Sequence, residues 1–288
     1  MKEKSSRAVF VAYREALQQL YSKEEAESLT YMLLDKFLDL KRRDLLLDRK
    51  ITTIPPALAE AFEILLTGKP IQQIFGEASF YGRTFLVNPQ VLIPRNETEE
   101  LVDRVIKKHP GPNRILDIGT GSGCIAITLS LELPGSEVFA LDISKTALEV
   151  AGENAVKHKA KVNFLVTDVL TEPLPVDDLD LIVSNPPYVR SSEQAAMHPN
   201  VLEHEPHLAL FVADEDPLVF YQAIAEKGRQ CLKPGGYLYF EINEALGGEV
   251  KSLLHSFGYR HVQVAKDLNG KIRFVWGENP NENAIRPD

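Results

Sequence analysis

Four adjacent residues, Asn185-Pro186-Pro187-Tyr188, follow directly on the apolar run "LDLIVS". A primary amide, two residues without N–H donors and a phenol therefore stand where a buried strand runs out. The Asn185 side-chain oxygen and the Pro186 carbonyl can each accept a hydrogen bond from a planar –NH₂, while Tyr188 packs against its plane. The prolines remove donors that would compete with the substrate, and the Pro186 ring fixes the carbonyl direction. Such a site selects a nitrogen bearing two protons. The bland alternative is a proline-rich turn, the commonest fate of adjacent prolines.

A second constellation lies upstream. In "ILDIGTGSGCIAITLS" the residues Gly119, Gly121 and Gly123 fall between a strand and a helix, so the backbone can turn tightly and a ligand can approach the helix N-terminus. A dinucleotide fingerprint wants its third glycine where Cys124 stands, and no Gly-Lys-Ser/Thr follows. Asp117, two residues before the first glycine, would crowd a pyrophosphate but suits a cationic ligand. Asp142 ends the next strand, placed to accept two ribose hydroxyls. Asp168 and Val169 end the third, where a carboxylate can take an adenine amino proton and Val169 can cover the ring. Cationic amino acid, ribose and adenine together describe S-adenosylmethionine. Taken singly, the glycines are a turn and Asp142 and Asp168 are helix caps; their succession at three strand ends favours the ligand.

The implied chemistry is in-line attack of the –NH₂ nitrogen on a sulfonium methyl, driven by positioning and electrostatics. No general base is evident. Two acceptors pulling on the N–H bonds would raise electron density on a delocalised nitrogen and hold it in line.

The elements that must position these groups can be read from periodicity. Apolar residues recur at three and four from Ser6 to Tyr21; Ser22 and Glu25 predict a capping box; "IPPALAEAFEILLTG" starts with prolines and stops at Gly68. Residues 1–70 are expected to form a small helical domain. Residues 71–94, with aromatic and β-branched residues around Gly82, predict a hairpin connector. Residues 95–288 are expected to form the catalytic domain. It opens with a helix in "NETEELVDRVIKKH" and a break at Pro110-Gly111-Pro112, and strands and helices alternate from Arg114, with helices from Ser122, Ser144 and about Pro217. That alternation predicts an α/β fold with a parallel sheet covered on both faces. A helix near Ala245 to Phe257 follows, then two strands joined by Asn269-Gly270, an antiparallel hairpin at the sheet edge.

The formal charge of -9 argues against an extended nucleic-acid surface. The basic run "IKKHPGPNR" reads as a solvated helix end. Two cysteines, Cys124 and Cys231, form neither a disulfide framework nor a zinc spacing. No metal is expected, since the spacing of His198, His204 and His207 fits no standard ligand pattern. No signal peptide or stretch of about 18 apolar residues is present, so a cytoplasmic protein without membrane contact is expected.

The motif "LDIGTGSG" resembles the class I S-adenosylmethionine-dependent methyltransferases, which implies a Rossmann-like seven-stranded sheet whose last strand is antiparallel. "NPPY" resembles their amino-methylating members. The segment "GKPIQQIFGEASFYGRTFLVNPQVLIPRNETEELV", with "NPPYV" and "EPHLALF", is similar to the release factor glutamine methyltransferases over essentially the whole chain. The resemblance implies cofactor contacts from Gly119, Thr120, Gly121, Ser122, Gly123, Asp142, Val169 and Asn185, and substrate contacts from Asn185, Pro186, Pro187 and Tyr188. It also implies a substrate: the glutamine of the Gly-Gly-Gln tip of class 1 peptide chain release factors, docked with help from the helical domain; a monomer is expected. Arg95, Thr98 and Glu99 match the connector motif and border the site, with a helix cap as the alternative for Thr98. Asn96 stands where the family usually has proline, a loop change, and "FVADEDPL" replaces a more glycine-rich stretch. Rival readings are a ribosomal-protein glutamine methyltransferase, a DNA or RNA exocyclic-amine methyltransferase, and a non-enzymatic S-adenosylmethionine-binding regulator.

Overall fold

A computed structural model describes residues 4–111, 113–197 and 199–280, and the chain divides into two compact units. Pro112 and His198 lie outside the described residues.

The first unit comprises residues 4–75 with 199–204. It contains β1 (Lys4–Ser5), α1 (Ser6–Leu17), α2 (Lys23–Leu38), α3 (Arg42–Leu46), β2 (Lys50–Ile51), α4 (Pro56–Leu65) and α5 (Ile71–Phe75). Its helices turn Val9, Leu17, Leu33, Leu34, Leu58 and Leu65 into one core, the burial that makes such short helices stable in water. Of the expected capping box, the half in which Ser22 Oγ accepts from Glu25 N is formed at 3.2 Å. Residues 71–75 were expected to open the hairpin connector. They form a helix instead, because Ile71 is buried in this core and Ile74 and Phe75 pack on it.

The second unit begins with the hairpin β3 (Glu77–Phe80) and β4 (Arg83–Leu86), closed by Tyr81 and Gly82 at φ 49° and 71°, the two positive φ values of a type I′ turn. Then come α6 (Asn96–Lys108), β5 (Arg114–Ile118), α7 (Cys124–Glu132), β6 (Glu137–Asp142), α8 (Lys145–His158), β7 (Asn163–Val166), β8 (Leu179–Ser184) and β9 (Val189–Arg190). After α9 (Pro199–His204), which belongs to the first unit, follow β10 (Phe211–Val212), α10 (Val219–Cys231), β11 (Leu232–Glu241), α11 (Gly247–Ser256), β12 (Arg260–Lys266) and β13 (Ile272–Glu278).

Seven strands form one sheet in the order β12-β13-β11-β8-β5-β6-β7. All neighbours are parallel except β13, which runs antiparallel between β11 and β12. The sheet is buried on both faces: Ile115, Leu181, Val183 and Tyr239 pack under α6 and α7, while Leu116, Ile182, Leu238 and Phe240 pack under α10 and α11. Period-two alternation sends neighbouring residues to opposite faces, and helices on both sides make most central-strand positions apolar, Asp117 and Ser184 near the carboxyl ends being buried exceptions. The order reverses between β5 and β8, which opens a crevice at their carboxyl ends, the place where such sheets bind ligands.

Several boundaries shift for local reasons. The helix expected from Ser122 starts at Cys124, because Gly123 is left-handed at φ 81° and cannot continue a helix backward. The third strand ends at Val166, so Asp168 and Val169 lie in the turn beyond it rather than at its tip. The helix expected from about Pro217 starts at Val219. Asn96 sits at the first helical position of α6, not in a loop; that position leaves its N–H unpaired in any helix, which is why proline and asparagine can both occupy it.

Candidate functional site

A cleft of ≈ 420 Å³ opens at the carboxyl ends of β5, β6 and β8. Six stretches wall it, together with Ala147, Phe220 and Ile224: 90–92, the glycine loop with Ile118, residues 141–144, residues 167–170, 184–187 and 206–209. Its size and mostly apolar lining suit a nucleoside-sized ligand.

Gly119 and Gly121 line the cleft at φ 75° and 54°, with no atom where a Cβ would stand. The space they leave open belongs to the ligand. Gly123 serves packing: a Cβ there would lie 2.9 Å from Ile127 Cδ1 and 3.1 Å from Ala151 Cβ, so only glycine lets α7 sit this close to α8. Thr120 and Ser122 are buried beneath the loop rather than along the cleft. Thr120 Oγ1 donates to Asp117 Oδ2 at 2.6 Å, and the Ser122 carbonyl accepts from Asn154 Nδ2 at 2.9 Å.

Asp117 is fully buried behind that loop. Its Oδ2 also accepts from Ala126 N at 3.2 Å, anchoring the start of α7, while Oδ1 has no protein partner. Burial pushes its pKa up to about 7, against the pull of the two hydrogen bonds, and the neighbouring Asp142 adds to the rise. A buried acceptor left without a donor is costly; Asp117 lies behind the glycine loop and is not itself among the residues that line the cleft. Asp142 does lie at the end of β6 and on the cleft; its Oδ1 accepts from Ser144 N at 2.9 Å and its Oδ2 from Gly121 N at 3.0 Å. Burial raises its pKa too.

Asp168 lines the cleft, but its side chain is engaged locally: Oδ1 accepts from Leu170 N at 2.9 Å and Oδ2 from Thr171 Oγ1 at 2.8 Å. No helix follows Asp168, so these bonds close a turn and do not cap a helix. Val169 is buried and offers an apolar wall. Lys227, from α10, donates its Nζ to the carbonyls of Val169 and Glu172 at 2.5 and 2.6 Å and so fixes this turn.

Asn185, Pro186 and Pro187 leave β8 directly into the cleft wall. Ser184 Oγ, donating to the Ile118 carbonyl at 2.7 Å, ties that strand end to the root of the glycine loop. Asn185 Nδ2 donates to Thr98 Oγ1 at 3.1 Å, which leaves Oδ1 as the acceptor. Thr98 is the third helical residue of α6, not its cap, and donates to Glu241 Oε2 at 2.7 Å. Tyr188 is not part of the cleft wall. Its ring packs on the core under α10, its hydroxyl donates to Glu241 Oε1 at 3.2 Å, and burial raises its pKa.

Arg95 and Glu99 brace the connector. Arg95 pairs with Glu205 at 2.7 Å; Glu205, almost wholly buried, also accepts from Ile93 N at 3.2 Å. That pair ties residues 93–95 to the wall formed by Pro206, His207, Leu208 and Ala209. Glu99 Oε1 accepts from Tyr81 N, holding the hairpin turn. Ala78, Val87, Val91 and Ile93 pack on Ala147 and Val150 of α8, which brings Gln90 to Leu92 to the cleft.

Asn154 and Glu241 do structural work here that no motif in the sequence marks, and Glu205 appears there only as the first residue of "EPHLALF", with no role of its own. Asn154 sits inside α8 and clamps β4 through both Leu86 backbone groups, at 2.6 and 3.0 Å. Glu241 does leave a sequence signal, a lone carboxylate closing the apolar strand "GYLYFE". The stretch "FVADEDPL" is held without extra glycines, since Asp214 Oδ1 accepts from Ser192 N and Oγ at 3.1 and 2.8 Å. Among the described residues no group of three or more His, Cys, Asp or Glu is placed to hold a metal, and no helix is long and apolar enough to cross a membrane. Both cysteines are free and buried.

The open space at Gly119 and Gly121 and the Asp142 carboxylate on the cleft wall fit S-adenosylmethionine in size and in polar character.

Comparison with known proteins agrees with this geometry. The methyltransferase small domain family matches residues 96–208. A methyltransferase from Pyrococcus furiosus shares the fold at TM-score 0.53 and 17% identity, over 77% of this chain and all of that one. A 16S rRNA methyltransferase of T. thermophilus, solved with AdoMet and guanosine, shares it at TM-score 0.51 and 19% identity, over 70% of this chain and 49% of that one. The release factor glutamine methyltransferase of Bacteroides thetaiotaomicron is 46% identical over 91% of this chain and 96% of its own length. That of Flavobacterium psychrophilum is 45% identical over 94% of this chain and 97% of its own. With a Rossmann-like seven-stranded sheet, an S-adenosylmethionine cleft and this identity across nearly its whole length, the chain belongs to the release factor glutamine methyltransferase family.

Proposed function

We propose that this enzyme methylates the side-chain amide nitrogen of the glutamine in the Gly-Gly-Gln motif of class 1 peptide chain release factors. The observation that carries the reading is the Asn185 amide: its –NH₂ is turned to Thr98, so its oxygen is the end offered beside the cofactor cleft, as recognition of an –NH₂ requires. The named relatives point to glutamine in particular.

Bound S-adenosylmethionine supplies an electrophilic methyl on a sulfonium. Asp117 would meet its ammonium, Asp142 its ribose and Val169 its adenine, with Gly119 and Gly121 giving room. Asn185 Oδ1 and the Pro186 carbonyl would accept hydrogen bonds from the two amide N–H groups of the glutamine, and one of those protons leaves to solvent once the nitrogen carries the methyl. Holding both N–H bonds keeps the nitrogen in line and raises its electron density, so positioning and oriented dipoles do the catalytic work. Tyr188, pinned through its hydroxyl, supports the loop rather than the ligand face. Pro187 fixes the direction in which that loop leaves the strand. The first unit would help dock the release factor. One chain suffices, since every residue lining the cleft comes from the second unit. Two free cysteines suit a reducing cytoplasm.

The test is to supply methyl-labelled cofactor separately with release factor, ribosomal proteins, DNA and RNA. Label should enter release factor and map to one glutamine by mass spectrometry. Label confined to ribosomal proteins or to nucleic acid overturns the proposal in favour of the corresponding rival.

A further inference from the structure

Glu241 closes β11 with 1% of its surface exposed and is not among the cleft-lining residues. Two hydroxyls point into its carboxyl group: Thr98 Oγ1 at 2.7 Å and Tyr188 Oη at 3.2 Å. The same Thr98 oxygen meets Asn185 Nδ2 at 3.1 Å. A threonine hydroxyl carries a single proton. Once that proton is given to Glu241, only a donor can approach the oxygen from the other side. The chain of bonds therefore has a direction, from Asn185 N–H to Thr98 to Glu241, and it leaves Asn185 Oδ1 as the end offered to a ligand. A protonated Glu241 is itself a donor. It can give its proton to Thr98, Thr98 can then give to Asn185 Oδ1, and the amide presents –NH₂ to a substrate –NH₂, donor against donor.

We propose that Glu241, as a carboxylate, is a positioning residue that sets, through Thr98, which end of the Asn185 amide faces the substrate nitrogen, so that transfer fades as Glu241 takes up a proton. The proposal rests on the reading that the substrate presents an –NH₂. Its surroundings put the switch in a useful range. Burial pushes Glu241 up to about 7; the Thr98 and Tyr188 hydroxyls and the Arg273 guanidinium on β13 work against that rise, and Glu97 on α6 adds to it. Tyr221 on α10 and Cys124 on α7 also face it, and both are neutral there, raised by their own burial. Below the pKa the carboxyl is neutral and the chain can reverse; above it the direction is locked.

The test has two arms. In ¹⁵N-labelled protein with S-adenosylmethionine bound, the Asn185 side-chain amide signal, assigned by its absence in Asn185→Ala, should titrate near neutrality in the wild type and stay fixed in Glu241→Gln. In turnover, kcat with release factor should fall roughly tenfold from pH 8 to pH 6, as a single titration near 7 requires, and this slope should vanish in Glu241→Gln. Should that variant fail to fold, Thr98→Val and Thr98→Ser carry the same test. Valine should cost kcat about tenfold or more, with the cofactor Kd unchanged, and remove the titration; serine should restore both. A wild-type Asn185 signal indifferent to pH, or wild-type kcat and pH slope in Thr98→Val, overturns the proposal. An Asn185 signal that titrates in a protein unable to label release factor supports it while refuting the substrate reading.

Discussion

Substituting alanine at Gly121 and at Gly123 separates the two tasks of the glycine loop. Both residues are left-handed, at φ 54° and 81°, so each alanine bears the left-handed penalty, roughly 1–2 kcal/mol. At Gly121 nothing lies within 4 Å of the added methyl, so the cost to folding stops there. At Gly123 the methyl would meet Ile127 Cδ1 at 2.9 Å, which can swing away, and Ala151 Cβ and Cα at 3.1 and 3.3 Å, which can yield only if α8 moves. Overpacking of that kind adds about 1–3 kcal/mol, for a total of roughly 2–5 kcal/mol. At about 2–4 °C per kcal/mol for a unit of this size, Gly123→Ala should melt about 4–20 °C below wild type and Gly121→Ala about 2–8 °C below. Cofactor binding should rank the other way once measured on folded protein. The Gly121 methyl enters the cleft and should weaken S-adenosylmethionine at least about tenfold by calorimetry, the equivalent of one lost good contact, whereas Gly123→Ala should bind nearly as wild type below its melting point. Equal melting temperatures would refute the close α7 to α8 packing; unweakened binding to Gly121→Ala would remove the loop from the ligand.

Asn185→Ala should lower kcat about 10²–10³-fold, the usual effect of deleting one oriented polar group, with S-adenosylmethionine still bound; unchanged turnover would take Asn185 out of the reaction. Lys227→Met frees the Val169 and Glu172 carbonyls from their shared cation, so the KM for cofactor should rise while kcat at saturation holds; an unchanged KM would show that the turn stands without it. Asp117 has a folded pKa raised from 3.8 to about 7 by burial. A raised acid is at no disadvantage below pH 4 and loses stability for the fold as pH climbs through 7. Cofactor-free Asp117→Asn should therefore gain melting temperature over wild type at pH 8 and not at pH 4, and should bind S-adenosylmethionine less well. A gain independent of pH would contradict the buried carboxylate.

Much of this was legible along the chain because it depends on local rules. The β/α rhythm from Arg114, the glycine turn after "ILDI" and the Asn269-Gly270 hairpin follow from periodicity and left-handed backbone, which neighbours in sequence determine. So does the emergence of Asn185 from a buried strand into the crevice. Boundaries set by packing were less visible: Ile71 to Phe75 look like connector but turn helical, because their apolar face joins the core of the first unit.

Residue types alone identified an amide beside a methyl donor, and the connector "IPRNETE" identified the family. Tertiary structure decided how that amide is oriented. Thr98 and Glu241 lie 87 positions before and 56 after Asn185 in the chain, and only the meeting of α6, β8 and β11 joins the three by two successive hydrogen bonds. Hydrogen-bond direction is a property of three groups at once, so no one stretch of sequence contains it.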